Sequence, residues 1–198
     1  MWHRRRGTLL GLLLLVAARA AAQPAPTAPL DDLMRRLAAV PESRASFVEE
    51  KTVAALAQPV RSQGWLAYRR PGYLEKATTG PVPENLLVDG DRLSLLLQGQ
   101  QPRLIDLNAE PALAALVDAV RGTLSGDLPT LRRSYAVAMQ GDLGAWRLTL
   151  TPLRPPLTDM LRGVTVEGAG TALRSVLTVQ ANGDRSVMTI GAPGRSAP

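Results

Sequence analysis

The sequence predicts an α+β fold in which helices cover one face of a single curved antiparallel sheet. Two observations support this prediction. Short apolar runs of strand length, separated by turn residues, fill residues 46–98 and again residues 134–190. Longer amphipathic helical patterns occur before the first group of strands and between the two groups. A single sheet with helices on one face is the simplest way for such a chain to bury its apolar surface.

The N-terminus has the pattern of a secretory signal peptide. Residues 1–22 read MWHRRRGTLLGLLLLVAARAAA, with a basic head, an apolar run over residues 9–16 and small residues at the end. These small residues fit the cleavage rule, so we place the mature N-terminus at Gln23. The apolar run is too short to span a bilayer, which needs about 20 residues. The segment therefore predicts export with cleavage before Gln23.

The predicted mature chain is close to neutral and lacks two reactive residue types. The 198-residue chain carries a formal charge of +6, and residues 1–22 contain four arginines and no acidic residue, so the remaining 176 residues carry +2. There is no cysteine, and the only histidine is His3. Disulfides, thiol chemistry, Ser-His-Asp triads and Cys- or His-ligated zinc are therefore excluded after cleavage. With no basic cluster longer than two residues, nucleic acid is not an expected partner. We expect a soluble protein of one domain.

The first predicted elements are a linker and an amphipathic helix. Residues 23–29, QPAPTAP, form a Pro/Ala linker. In the next segment, LDDLMRRLAAV, apolar residues recur at the spacing of one helical face, and two aspartates occupy the first turn, where negative charge stabilises a helix. The apolar residues are Leu30, Leu33, Met34 and Leu37.

Strands and a second helix follow. The strand-like runs read SFVEEKTV, GWLAYRR, YLEKATT, NLLVDGDRLSLLL and PRLIDL. Asp89 and Gly90 separate two apolar runs, which predicts a hairpin. The segment AEPALAALVDAVRG predicts a helix with Gly122 just past its end. The apolar face of this helix is Leu113, Leu116, Val117 and Val120.

The C-terminal part returns to strands. A short helical piece over residues 128–133 precedes SYAVAM, AWRLTLT, VTVEG, LRSVLTVQ and RSVMTI. In AWRLTLT, apolar and polar residues alternate with the period of a sheet that has one solvated face. The proline-rich segment LRPPLTDMLRG predicts a break with one helical turn. We expect ten or eleven strands in all, and a disordered tail over residues 192–198.

The order of these segments carries a resemblance to a known family. An amphipathic helix, RASF, GWLAYRRPGYL, LLVDGDRL, WRLTLTP and a hairpin with NGD follow one another between residues 30 and 190. In this order they resemble LolA, the periplasmic lipoprotein carrier, or a LolA-related paralogue. The resemblance implies an unclosed β-barrel lidded by helices over residues 30–191, with a hydrophobic cavity for acyl chains. It implies no catalytic residue and no cofactor.

The resemblance also implies a location, partners and a role for one arginine. It places the protein in the periplasm of a Gram-negative cell, where it acts as a monomer between an inner-membrane ABC-type releasing complex and an outer-membrane receptor. In the family, the arginine before the proline points into the half-barrel and bonds to the lid, and Arg70 matches it. Strand alternation then places Leu66 and Tyr68 inside and Arg69 outside. The alternative is that both arginines are solvated edge charges.

The predicted site residues fall into two sets beside Arg70. The lid is the apolar face of the second helix, Leu113, Leu116, Val117 and Val120. The cavity residues are Leu33, Leu37, Leu66, Tyr68, Leu74, Leu93, Leu95 and Leu97.

Two departures from the family leave the cargo open. Leu74 stands where the family prefers phenylalanine, and Lys76 where an inward aromatic residue is common. A lysine near the cavity predicts an anionic or polar head group, or else a strand turned the other way. The cargo is therefore a lipoprotein, another lipid or an aryl-polyene-type conjugate.

Other functions stay as alternatives. A lipid-sensing regulatory or scaffold module of the same fold is the main one. Glu49, Glu50 and Glu75 could supply a carboxylate pair for glycoside hydrolysis, although a solvated strand face explains them more simply. Asp89 and Asp91 could bind calcium, but the EF-hand spacing is missing and a turn accounts for them.

Overall fold

The computed structural model describes residues 28–193, which form four helices and eleven strands. One helix precedes the strands, two helices follow the sixth strand and a short helix follows the eighth, as the sequence pattern indicates. In chain order the elements are α1 (Ala28–Ala38), β1 (Glu42–Thr52), β2 (Val60–Arg69), β3 (Tyr73–Gly80), β4 (Glu84–Asp89), β5 (Arg92–Leu97), β6 (Arg103–Asp106), α2 (Pro111–Ser125), α3 (Leu128–Ser134), β7 (Tyr135–Asp142), β8 (Ala145–Pro152), α4 (Leu157–Met160), β9 (Leu161–Ala169), β10 (Ala172–Gln180) and β11 (Arg185–Pro193).

All eleven strands belong to one antiparallel sheet, in the order β6-β5-β4-β3-β2-β1-β11-β10-β9-β8-β7. The first strand pairs with the last, so the two ends of the described chain meet in the middle of the sheet. Strands β6 and β7 are the two edges and do not pair with each other, which leaves the barrel open. The chain between these edges carries α2 and α3. The predicted α+β fold, an unclosed antiparallel sheet with helices, is confirmed.

The helices bury apolar side chains against the sheet in two separate clusters. The larger one, the major core, joins α1, part of α2, α3 and α4 to strands β7 to β11. The smaller one, the minor core, joins α2 to strands β2 to β5. The buried residues of the minor core are Tyr68, Leu74, Val88, Leu93, Leu107 and Val117.

The second helix is longer than the sequence predicts. It continues to Ser125, and Gly122 lies inside it rather than past its end. A side chain at Gly122 would lie 3.0 Å from Leu131 Cδ2, so the glycine allows α3 to approach α2 closely. The helix ends at Gly126, whose φ of 66° is the left-handed conformation that glycine adopts readily.

The boundaries of the predicted domain also change. Helix α1 begins at Ala28, within the predicted linker, and β11 runs through Ala192 and Pro193, which were predicted to be tail. The predicted signal peptide lies outside the described residues, as do residues 23–27 of the linker and 194–198 of the tail. Among the helices of residues 28–193, none is both long and apolar enough to cross a membrane.

Candidate functional site

A row of apolar side chains crosses the helix-covered face of strands β2 to β5. Tyr68 pairs with Leu74, Leu74 with Val88, and Val88 with Leu93, so the four side chains project from the same face of the sheet. All four are buried, and Val117 of α2 belongs to the same cluster. This face is the candidate lipid-binding surface, and α2 covers it.

The predicted cavity and lid residues do not surround one open space. Leu33 and Leu37 belong to the major core, and Leu66 and Leu116 pack against it. Tyr68, Leu74, Leu93 and Val117 belong to the minor core, against which Leu95, Leu113 and Val120 pack. Leu97 is part of neither cluster, since it lies at the end of β5 opposite Glu84.

One residue of α2 connects the two clusters. Leu124, which sequence analysis did not single out, packs against both. Next to it, a space of about 50 Å³ separates α2 from the sheet. In this structure the helices therefore fill the place where a cavity was expected.

Arg70 bonds to a helix, but to α1 and not to α2, the predicted lid. Its Nη1 donates a hydrogen bond to the carbonyl oxygen of Ala38, the last residue of α1. Its backbone N–H donates to the Pro41 carbonyl at 2.9 Å. Arg69 lies on the other face, where its guanidinium stacks on the Tyr73 ring at 4.7 Å from the centroid. The two neighbouring arginines thus have different surroundings, and only Arg70 ties the sheet to a helix.

Arg121 forms a second contact of this kind, which sequence analysis missed. From α2 its Nη1 donates to the carbonyl oxygen of Gly90, in the β4–β5 turn, at 2.5 Å. Its Nη2 lies 2.7 Å from Asp118 Oδ1, and both side chains are mostly buried. The Asp118–Arg121 spacing of i,i+3 could have indicated the ion pair. The contact with Gly90 could not be read from the chain, because it joins residues far apart in sequence.

Lys76 lies on the helix-covered face of the sheet. It pairs with Leu66 and Leu86, whose side chains share that face. Its Nζ is 2.5 Å from Glu49 Oε2 and 5.3 Å from the centre of the Phe47 ring. The strand is therefore not turned the other way, and Glu49 already neutralises the lysine. Lys76 therefore gives no reason to expect a ligand with an anionic head group.

Glu49 is held in its charged form by its neighbours. Burial by itself would raise the pKa of this carboxyl, but hydrogen bonds from Lys76 and Ser186, together with the Lys76 charge, lower the pKa below its ordinary value. Glu49 pairs with Met188 in β11 and faces inward, whereas Glu50 and Glu75 lie on the opposite face of the sheet. The sheet thus separates Glu49 from the other two glutamates, so it cannot form a hydrolytic pair with either.

The two aspartates of the predicted hairpin flank its turn. Asp89 ends β4, Gly90 has a φ of 56°, and Asp91 precedes β5. Both aspartates line a cleft of about 570 Å³ below α2. Among residues 28–193, no three His, Cys, Asp or Glu side chains are grouped so that they could hold a metal ion.

Tyr68 has a buried hydroxyl without a partner. The residue is 2% exposed, and its hydroxyl oxygen forms no hydrogen bond within residues 28–193. Burial raises the pKa of Tyr68 above its ordinary value, and the Arg70 charge, the nearby Ser125 hydroxyl and the Arg121 charge offset this only in part. The hydroxyl therefore stays protonated at neutral pH.

Comparisons with known proteins agree with this geometry. A family model described as "Outer membrane lipoprotein carrier protein LolA-like" matches residues 19–197. Among solved structures, MucB is 16% identical with a TM-score of 0.50, over 86% of this chain and 60% of the MucB chain. The LolA superfamily protein NE2245 from Nitrosomonas europaea is 10% identical with a TM-score of 0.47, over 86% of this chain and 95% of that one.

A third solved structure is also similar. A putative outer membrane lipoprotein-sorting protein domain from Vibrio parahaemolyticus is 8% identical with a TM-score of 0.49, over 85% of this chain and 92% of the domain. At these identities the likeness concerns the fold alone. No curated protein matches the chain.

Proposed function

Because the chain belongs to the LolA-like outer membrane lipoprotein carrier family, we propose that it is an exported carrier of acyl chains. It takes up the acyl part of a lipoprotein or another lipid and moves it through the periplasm from the inner to the outer membrane. The observation that carries this proposal is the apolar face of strands β2 to β5, which α2 covers. Hydrogen bonds of two arginines, Arg70 and Arg121, connect this part of the sheet to the helices. The role is binding rather than catalysis.

Solvent physics explains why such a carrier is needed. Each CH₂ group of an acyl chain costs about 0.8 kcal/mol to expose to water. A protein that covers the chain removes this cost while the lipid crosses an aqueous compartment. The minor core offers side chains of the right kind, since leucine and valine dominate it.

Uptake requires α2 to move. The space beside Leu124 is about 50 Å³, whereas ordinary ligand cavities measure about 300–1,000 Å³. An acyl chain must therefore replace part of α2 on the sheet, with Leu113, Val117 and Val120 leaving the minor core. The acyl chain then contacts the row from Tyr68 to Leu93.

Release follows from the same arrangement. In the empty protein, α2 covers the apolar side chains of the minor core. Arg70 holds α1 to the β2–β3 turn, and Arg121 holds α2 to the β4–β5 turn. These contacts are lost when the lipid enters, so their free energy opposes binding. The affinity is the difference between lipid burial and helix closure. A carrier needs this balance because it must hand its cargo on, here from an inner-membrane ABC-type releasing complex to an outer-membrane receptor.

Native mass spectrometry tests the proposal. The protein is recovered from the periplasm under non-denaturing conditions and compared with the same protein stripped of lipid by unfolding and refolding. We expect the first sample to carry a lipid or lipoprotein mass and the second to bind N-phenyl-1-naphthylamine, a fluorescent apolar probe. An empty mass together with no probe binding would contradict a carrier. A stoichiometric protein partner instead of a lipid would favour the regulatory or scaffold alternative.

A further inference from the structure

The hydroxyl of Tyr68 has no function in the empty protein. A buried polar group that lacks a hydrogen bond destabilises the folded state, and such groups are rare. Ser125 of α2 is the nearest polar side chain that acts on the pKa of Tyr68, and its hydroxyl donates to the Gly122 carbonyl at 3.2 Å. The Ser125 oxygen could still accept a hydrogen bond, but in this structure the Tyr68 hydroxyl is not placed to donate one to it or to any other group of residues 28–193. Replacing the tyrosine by phenylalanine would keep the ring contacts and remove this penalty. The hydroxyl therefore points to a partner that arrives from outside.

The position of Tyr68 matches the route of an acyl chain. It lines the 50 Å³ space together with Leu66 on the sheet and Leu124 on α2. It also lies in the row of the minor core that α2 covers, two residues before Arg70. A ligand that displaces the end of α2 therefore enlarges the space that Tyr68 already lines.

The chemistry of the pocket selects the partner. Most of its lining is apolar: Ala45, Leu66, Ala67, Leu124, Ala172, Leu173 and Ile190. The charges of Arg70 and Arg121 act on Tyr68, but both guanidinium groups already bond to backbone carbonyl oxygens. A charged ligand would have to compete for its counter-ion, whereas a neutral acceptor needs only one donor. The protonated phenol is such a donor. The neutral acceptor that directly adjoins every acyl chain of a lipoprotein or glycerolipid is its ester or amide carbonyl.

We propose that the Tyr68 hydroxyl binds the ester or amide carbonyl at the head of an acyl chain and so fixes how deep the chain enters. This inference rests on the proposed acyl carriage. It adds that the protein recognises acylated molecules, and not apolar surface alone. The remainder of the chain then lies along the row of the minor core.

A cycle of two protein variants and matched ligands tests this proposal. Methyl dodecanoate, N-methyldodecanamide and tridecane have similar length, but only the first two carry a carbonyl. Their affinities are measured by displacement of N-phenyl-1-naphthylamine from the wild-type protein and from Tyr68→Phe. We expect the preference for each carbonyl ligand over tridecane to fall about three- to tenfold in Tyr68→Phe, the range for one neutral hydrogen bond. Tridecane should bind both proteins equally.

Tyr73→Phe is the matched control. Its hydroxyl donates to Glu75 Oε2 at 2.6 Å on the opposite face of the sheet, so this variant should keep the wild-type preference. The ester and amide arms distinguish glycerolipid from N-acylated cargo, because the better ligand has the larger loss in Tyr68→Phe.

The outcomes separate the two proposals. If the wild type binds the probe and all three ligands but Tyr68→Phe keeps the same preference, the carbonyl contact is wrong and acyl carriage stands. If the wild type binds none of them, both proposals fall. Thermal unfolding gives a second reading: Tyr68→Phe should be as stable as the wild type or more stable. A clear loss of stability would mean that a trapped water already satisfies the hydroxyl, and would overturn the proposal.

Discussion

The major and minor cores are built from the same kinds of side chain but differ in size and in what holds them closed. The major core has 19 buried residues and the minor core has six. Around the minor core lie half-buried leucines, the buried hydroxyl of Tyr68 and the polar contacts of Arg70 and Arg121. Since burial of apolar area is the main stabilising term, the major core holds the fold and the minor core can open at lower cost.

The helix α2 lies at the boundary between the two. Ala115 and Ala119 face the major core, and Val117 faces the minor core. Together with Leu116, which also packs there, the two alanines anchor α2 to the major core, so its side chains on the minor core can leave the sheet while the helix stays attached. The major core therefore holds the fold, and under the proposed function the minor core is the part that opens for a ligand.

The largest expected effect distinguishes the cores directly. Leu148→Ala removes a fully buried side chain of the major core, and Leu93→Ala removes one of the minor core. We expect Leu148→Ala to lower the free energy of unfolding by about 4 kcal/mol and Leu93→Ala by about 2–3 kcal/mol, within the range for such truncations. Leu93→Ala should also raise the affinity for N-phenyl-1-naphthylamine. Urea denaturation and probe titration measure both, and equal losses without a change in probe binding would contradict the comparison.

The second effect concerns the contact between α2 and the β4–β5 turn. Arg121→Met removes the hydrogen bond to Gly90 and the ion pair with Asp118 but keeps most of the apolar length. We expect a loss of about 1–2 kcal/mol in stability and faster exchange of the probe, because charge-assisted bonds of partly buried groups contribute this much. Arg133→Met is the control, since Arg133 is exposed and bonds only to Thr130 of its own helix. Stopped-flow fluorescence should show no change for the control.

The third effect is a dependence on pH. The pKa of Glu49 is lower in the folded protein than its ordinary value of 4.5, so its contribution to stability is present above pH 4.5 and disappears as the pH falls through the folded value. Glu49→Gln should therefore be less stable than the wild type by about 1 kcal/mol at pH 6.5, and the difference should shrink as the pH falls below 4.5 through the folded pKa of Glu49.

Urea denaturation at several pH values measures this difference. Glu50→Gln is the control, because Glu50 pairs with exposed Arg61 on the opposite face of the sheet. A difference for Glu49→Gln that does not shrink at all as the pH falls below 4.5 would mean that the carboxylate charge is not the cause.

The smallest effect on stability, and the most specific effect on transfer, is expected at Arg70. Arg70→Leu removes the bond to the Ala38 carbonyl and adds apolar surface beside the minor core. Because less closing energy then opposes entry, the affinity for a fluorescent acyl probe should rise or hold, and transfer of the probe to lipid vesicles should slow. Arg69→Leu, on the other face, should do neither. Equal behaviour of the two variants would mean that Arg70 is only a solvated edge charge.

Much of the fold could be predicted because its signals are local. Asp89 and Gly90 mark a turn whatever the rest of the chain does, and the alternation in AWRLTLT requires one covered and one exposed face. The end of α2 was misplaced because glycine has two uses. Gly122 looked like a cap, but it is the point of contact with Leu131, and only the position of α3 distinguishes the two.

The site was predicted less completely, for the same reason. Arg70 was found through its place before Pro71 in a resembling family, but its bond goes to α1 and not to the predicted lid helix α2. Leu97 has the same pattern as Leu93 and Leu95, yet it lies beyond the reach of α2. No sequence rule could have joined Arg121 to Gly90.

Residue order alone thus determined the strands, the turns, the amphipathic faces of the helices and the family to which the chain belongs, because each depends on spacing along the chain. Tertiary structure decided how the apolar residues divide into two cores, that Glu49 neutralises Lys76 and that the Tyr68 hydroxyl is left without a partner. These depend on short distances between segments that are far apart in sequence. A polar side chain is paired or unpaired only once the whole sheet and α2 have come together around it.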